Sequence, residues 1–304
     1  MYRVLVSIIA GLLVAPQACT ASVVHARVYL EGTVAHTVTA NLLDPGVKVT
    51  VAIDRGGRGR SESFKSMINR THPSAAITGT FFCVKTLIPT GDIAAFGRVL
   101  HKGSVGNALC VTSDNKASVV SLSDGRRDNW RGYETVLCGG PTLVHDGRVA
   151  IALKHEGFHN TLHAPARRTA AGVTRSGKIV FVAIDRNVSL YKLAKLMVKV
   201  GITDGICLDG GSSTGLYSHG QFHIMPGRTL TNLLVVYEDS RTYESAKSDL
   251  VPPALMAKAE KLAEAPKTGS GSAALETSTS DFFARFKCAL PPLAQIYPTI
   301  GPAR

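Results

Sequence analysis

Aromatic residues are scarce in this chain: Phe, Tyr and Trp make up 6% of 304 residues, and there is one Trp. Acidic residues are also in short supply, 22 against 34 Lys and Arg, which leaves a formal charge of +12. A nucleic-acid binder would gather that charge on one element and interleave aromatics for base stacking. Here the basic residues are scattered, so no nucleic-acid partner is expected, and the charge suits an anionic substrate or an anionic surface. Cysteine is sparse and never falls in a Cys-x-x-Cys pair, which argues against a zinc site built from thiolates. Beyond the N-terminus no apolar run is long enough to cross a membrane, and no internal repeat is evident. What remains is a globular composition, 45% hydrophobic and 18% charged, long enough for a sizeable core.

The N-terminus reads as an export signal. Arg3 is the lone charge, residues 4–14 are apolar, and small residues follow, with cleavage sites after Ala21 or Ala26. A lipoprotein site at Cys19 is the lesser alternative, since Pro16 and Gln17 fit it poorly. The expected setting is therefore secreted or periplasmic, with no integral membrane domain once the signal is removed. The other cysteines, at 83, 110, 138, 207 and 288, are an odd set whose pairing stays open, although the apolar neighbours of Cys110 and Cys207 suggest buried thiols.

Residues 1–21 are thus assigned to the signal, 27–238 to a catalytic domain and 239–304 to a tail of low order. Short runs rich in Val, Ile, Thr and Phe predict strands at 27–30, 34–40, 48–53, 75–82, 105–112, 116–122, 170–173, 178–184, 206–208 and 232–237. A helix is expected over 189–200. Ser189 can cap it, Leu190, Leu193, Ala194, Met197 and Val200 form its apolar stripe, and Gly201 stops it. A weaker helix falls at 61–69. The tail is rich in Ala, Pro, Ser and Lys, with a Gly-Ser linker at 268–272 and one short helix around 255–265. The expected fold is α+β: a mixed, twisted sheet with a few packed helices in a single domain.

One segment stands out chemically. Ile206-Cys207-Leu208 runs straight into Asp209-Gly210-Gly211-Ser212-Ser213-Thr214, an apolar strand ending in a carboxylate, two glycines and three hydroxyls. A strand end fixes an acid in space, and glycines let backbone N–H groups turn toward a ligand. The competing reading is a tight turn. Further segments share the habit: Thr78-Gly79-Thr80-Phe81-Phe82, Pro89-Thr90-Gly91-Asp92, Gly139-Gly140-Pro141, Arg168-Thr169-Ala170-Ala171-Gly172 and Arg228-Thr229-Leu230-Thr231-Asn232.

In this order, from about residue 75 to 237, the segments resemble the phosphodiester glycosidase family. Each is weak alone, and together they are specific. Two departures stand out: the family's first motif commonly reads Asn-Gly-Gly-Phe where this chain has Thr78-Gly79-Thr80-Phe81, and Arg167 stands where Pro is common. The resemblance implies hydrolysis of a sugar from a sugar–phosphate–R diester, with an α-linked N-acetylglucosamine-type sugar on an anionic sugar-phosphate glycan, as in exopolysaccharide or cell-envelope processing. Such chemistry needs an anion clamp and a carboxylate near the developing oxocarbenium charge. Arg168 and Arg228 are the expected phosphate ligands, because a guanidinium fork matches phosphate oxygens. Asp209 is the expected nucleophile or charge stabiliser, with Glu156 or Asp92 as acid/base partner. Thr78, Gly79, Gly210, Gly211 and Ser212 are the remaining substrate-binding candidates. No cofactor and no metal are expected, and the sequence leaves the oligomeric state open.

Two other functions compete. His155-Glu156-Gly157-Phe158-His159 matches the H-E-x-x-H zinc-protease pattern, which works only on a helix. Gly157 and the following Asn160 and Pro165 give poor helix propensity, so a loop over the sugar site is the preferred reading. A non-catalytic glycan-binding protein is the third possibility, with Thr78 as its signal.

Overall fold

The structure is a computed structural model that describes residues 21–264, except residue 104 and residues 123–129. The expected signal through residue 20, Cys288 and the Gly-Ser linker of the tail lie outside the described residues. The chain opens with β1 (Val23–Leu30) and β2 (Thr33–Ala40), followed by β3 (Lys48–Ile53), α1 (Phe64–Thr71) and β4 (Ala75–Thr78). Next come β5 (Ile93–Ala95), β6 (Arg98–His101), β7 (Ala108–Thr112), β8 (Ala117–Val120) and β9 (Tyr133–Cys138). Then β10 (Thr142–His145), β11 (Arg148–Val149), β12 (Ala166–Thr174) and β13 (Ile179–Val188) lead to α2 (Leu190–Lys199). The chain continues through β14 (Ile202–Leu208), β15 (Leu216–Ser218), β16 (Gln221–Ile224) and β17 (Asn232–Tyr237) to α3 (Ser240–Leu250) and α4 (Pro253–Glu264).

The strands form three sheets, ordered β1-β2-β13-β12-β14-β10-β11, β16-β15-β4-β17-β3 and β6-β5-β9-β7-β8. Side-chain alternation in the central strand β13 explains how they stack. Ile179, Phe181 and Ala183 point into the main core, shared with Val49, Val51, Ile77 and Leu234 of the second sheet and Leu109 and Leu137 of the third. Val180, Val182 and Ile184 face the opposite way, into a second core closed by α2. Ser189 caps that helix by accepting from the Lys192 N–H, and Gly201 follows it at φ +84°. Leu190, Leu193, Ala194, Leu196 and Met197 are its buried face. For a leucine or methionine, such burial is worth roughly 1.5–3 kcal/mol. The helix lysines are more than a solvated face: Lys192 and Lys199 donate to the carbonyls of Glu31 and Tyr29, and Lys195 pairs with Glu31, tying α2 to the first hairpin.

The fold is α+β, as expected, with two corrections to the outline. The strand pairings are antiparallel throughout and divided among three sheets, not gathered in one mixed sheet. The folded body also runs past residue 238, because α3 buries Tyr243, Ala246 and Leu250 against the core, and Ala259 of α4 is buried as well. Among the described residues no helix is long and apolar enough to cross a membrane.

Candidate active site

The site forms where the ends of two strands from different sheets meet. β14 of the first sheet stops at Leu208, and the Asp209 N–H then donates to the Gly79 carbonyl at 3.1 Å, just past β4 of the second sheet. From the other side, Thr169 Oγ1 donates to the Asp209 carbonyl at 2.5 Å. Gly79 is required by crowding: a Cβ there would lie 1.9 Å from Asn232 Oδ1, which accepts from the Thr80 N–H at 2.9 Å. Gly140 obeys the same logic, since its Cβ would meet the Phe81 ring at 2.5 Å while its N–H donates to the Cys207 carbonyl. The Gly-Gly-Pro segment is thus a close-packing device beside the Asp209 strand.

After Asp209 the chain turns through Gly211, at φ +60°, into a single 3-10 turn over Gly211–Ser213. The turn brings the Ser213 side chain back to hydrogen-bond the Asp209 carboxylate. Thr78 Oγ1 fastens it by donating to the Ser213 carbonyl at 2.5 Å. The Gly227 N–H donates to the Ser212 carbonyl at 2.8 Å, which draws in the loop carrying Arg228. The Arg228 guanidinium lies over the Phe82 ring, 4.7 Å from its centroid. Burial pushes the Asp209 carboxyl up to about 7, while Ser213, the Arg228 charge and the Gly210 N–H pull it back toward the charged form. Asp209 nevertheless keeps a partly exposed face, as do Gly210, Gly211 and Arg228, and Ser212 is exposed. Two hydroxyls beside this cluster, Thr80 Oγ1 and Thr214 Oγ1, are buried without a hydrogen-bond partner.

Of the expected site residues, Asp209, Arg228, Gly79, Gly210, Gly211 and Ser212 converge here. Thr78 also belongs to the cluster, but its side chain is buried and spent on the turn. Arg168 departs from its expected role. Its Nε donates to the Val188 carbonyl and its Nη2 to those of Leu162 and Ala164, with the side chain 5% exposed, so it pins the 160–164 loop to the sheet. Asp92 is a correction. Both its oxygens are engaged, Oδ1 by the Gly103 N–H at 2.6 Å and Oδ2 by Trp130 Nε1 at 2.7 Å, and it is buried, which makes it a brace instead of an acid or base.

Glu156 accepts from the Thr142 N–H at 2.8 Å, and burial raises its pKa, with Thr142 and Asn107 hydrogen bonds opposing. It therefore stands at the Gly-Gly-Pro loop, one residue past Pro141, and not in the ring around Asp209. The H-E-x-x-H pattern is broken as the glycine predicted: residues 152–163 form turns and a 3-10 segment, and His159 caps Thr161. Its histidines do not gather with another ligand into a group fit for metal among the described residues. Sequence reasoning missed Ser213, Asn232, Thr80 and Thr214 as site residues. All four sit inside motifs quoted from the sequence, so the signal was present but unassigned.

A cavity of about 960 Å³ lies to one side, lined by Asp54, Arg58, Pro89, Arg98, His101 and Lys102 among others, and by Thr231 next to Asn232. None of the Asp209 cluster lines it. This cavity gathers Asp54 with several basic side chains, whereas Asp209 and Arg228 of the quoted motifs meet outside it.

The family model described as phosphodiester glycosidase matches residues 71–237. The chain is similar to the bovine N-acetylglucosamine-1-phosphodiester alpha-N-acetylglucosaminidase, 25% identical over 210 residues that cover 62% of this chain. It spans 38% of the length of that relative. Among solved structures, the zebrafish catalytic domain of the same name, auto-inhibited by its pro-peptide, aligns with a TM-score of 0.59 at 16% identity, covering 73% of this chain and 85% of that one. A hypothetical protein from Synechocystis aligns with a TM-score of 0.56 at 17% identity, covering 70% and 61%.

Proposed function

This chain belongs to the phosphodiester glycosidase family, and on that premise we propose that it hydrolyses a glycosyl phosphodiester at the anomeric carbon. The observation that carries the reading is the meeting of Asp209, held by Ser213, with the charge of Arg228 at a partly open junction of two sheets. The bond between C1 and the phosphate oxygen breaks, and its electron pair leaves with the phosphate, which Arg228 receives. The ionised Asp209 stabilises the positive charge at C1 or bonds to it. Water then supplies the hydroxyl at C1 and its proton passes to solvent.

The substrate we propose is an N-acetylglucosamine-type sugar on an anionic glycan, processed outside the cytoplasm in envelope or exopolysaccharide metabolism. The similar bovine and zebrafish proteins carry that sugar in their names, the net charge of +12 favours anionic ligands, and the N-terminus has the pattern of a signal. A panel of N-acetylglucosamine phosphodiesters and nucleotide sugars, assayed by mass spectrometry for free sugar, tests the proposal. Sugar release that depends on Asp209 supports it. No release from any member, or the same release by Asp209→Asn, refutes it.

A further inference from the structure

Away from Asp209, three histidines that lie far apart in the sequence come together where two sheet edges meet. His25 is on β1, the outer strand of the first sheet, His36 is on β2, and His223 is on β16, the outer strand of the second. The β1–β2 register pairs His25 with Val38 and Arg27 with His36, so the first two are diagonal neighbours on one face. One nitrogen of each ring lies within 4.8 Å of the others. His25 Nε2 and His36 Nδ1 are 3.1 Å apart, and the His25 and His223 rings stack with centroids 3.6 Å apart.

We propose that His25, His36 and His223 form a binding site for a zinc-class divalent ion. An ion with Zn–N bonds of about 2.0–2.1 Å and tetrahedral angles sets its ligand nitrogens about 3.3 Å apart. The His25–His36 pair already meets that spacing, and rotation of the His223 ring closes the remainder. Ser218 Oγ bonds His223 Nε2 at 2.8 Å, the kind of outer-shell partner metal-bound histidine has, which leaves Nδ1 as the ligand atom once the ring turns. All three rings are half-buried, and burial chiefly holds each below the ordinary histidine pKa, with Arg27 and His219 adding at His25, His25 and Arg27 at His36, and His25, His36 and His219 at His223, which falls to about 4. Neutral imidazole is the form that ligates.

An all-imidazole set suits Zn²⁺, Cu²⁺ and Ni²⁺ and discriminates against the oxygen-seeking Mg²⁺ and Ca²⁺. Negative charge stands close by in Asp185, which acts on His36, and in Glu238, paired with His219 at 2.9 Å; Arg27 opposes it. Three protein ligands leave a fourth position for water. The ion would lock the edge of the first sheet to β16, whose chain continues through Met225 and Gly227 to Arg228. The expectation of a metal-free protein rested on the cysteines and on residues 155–159, and these histidines show no spacing that sequence could reveal.

The test uses the untagged full chain, freed of metal by a chelator and titrated calorimetrically with zinc chloride. One zinc per chain is expected, with Mg²⁺ and Ca²⁺ silent and Tm raised by about 5–10 °C at saturating zinc. His36→Gln and His223→Gln should each weaken zinc at least about 100-fold, and His25→Gln serves if either fails to fold. His155→Gln with His159→Gln should leave binding intact. No saturable binding by the unmodified chain overturns the proposal. So does equal binding by the site variants, or loss of zinc only in the 155/159 variant.

Discussion

Replacing Asp209 with Asn should make the protein more stable while removing its activity. Burial raises this carboxyl from 3.8 to about 7. The unfolded chain therefore releases the proton near pH 4, whereas the folded protein holds it until about pH 7. Below pH 4 both states are protonated and the group contributes no penalty. Between these values folding takes up a proton, so stability falls as pH rises, by about 1.4 kcal/mol per pH unit. Above pH 7 both states are ionised and the full cost, about 4 kcal/mol as a ceiling, is in place. Asparagine keeps the shape and a partner for Ser213 but carries no charge to desolvate. Equilibrium denaturation at pH 4, 5.5 and 7.5 should find the variant no more stable than wild type at the lowest pH, and increasingly more stable at the other two. The same variant should lose at least about 100-fold in kcat/KM. Wild-type kcat/KM should climb through pH 7 as the carboxylate ionises. A gain independent of pH, or an Asn variant less stable at pH 7.5, would refute the placement of a desolvated acid here.

Other residues separate binding from scaffolding. Arg228→Gln should raise KM for an anionic diester about 10-fold or more with little change in Tm, and should move the rising limb of the pH profile upward, because its charge favours ionised Asp209. Arg168→Lys should do the reverse, lowering stability by about 2–3 kcal/mol in a denaturant titration as buried carbonyls lose their partners. Gly79→Ala should cost about 1–3 kcal/mol, read as a lower Tm, since its Cβ displaces the Asn232 side chain from Thr80. Trp130→Phe should destabilise by about 1–3 kcal/mol by orphaning one oxygen of buried Asp92, with kcat per folded molecule unchanged.

The sequence was legible where local chemistry and tertiary demand agree. Strands β3 and β17 fall where runs rich in Val, Ile and Leu put them, because both their faces are buried, and helix α2 falls where its cap and apolar stripe put it. Short strands such as β5, β11 and β15, two or three residues long, carry too little pattern to be seen and exist because neighbours pair with them. Helix α3 was hidden by its polar surface, with Tyr243, Ala246 and Leu250 as its whole buried face. At the site, motif order located Asp209 and Arg228, but residue type could not say which arginine is free. Arg168 and Arg228 look alike in sequence, and only the carbonyls of Leu162, Ala164 and Val188 distinguish them.

That distinction bears on how much machinery the reaction requires. The departing group is a phosphate monoester, a weakly basic anion, so protonating the departing oxygen contributes less than it does for an ordinary glycoside, whose leaving alkoxide depends on a general acid. Asp92 is engaged by two donors and Glu156 is half-buried at the Thr142 backbone, so neither stands as a free carboxyl beside Asp209. A site with one ionisable carboxylate and one guanidinium is adequate for phosphate departure and poorly equipped for an aryl or alkyl glycoside. An N-acetylglucosamine phosphodiester should therefore be cleaved far faster than an N-acetylglucosamine alkyl glycoside of matched size. Comparable rates on the two would require an acid that this arrangement of carboxylates does not provide.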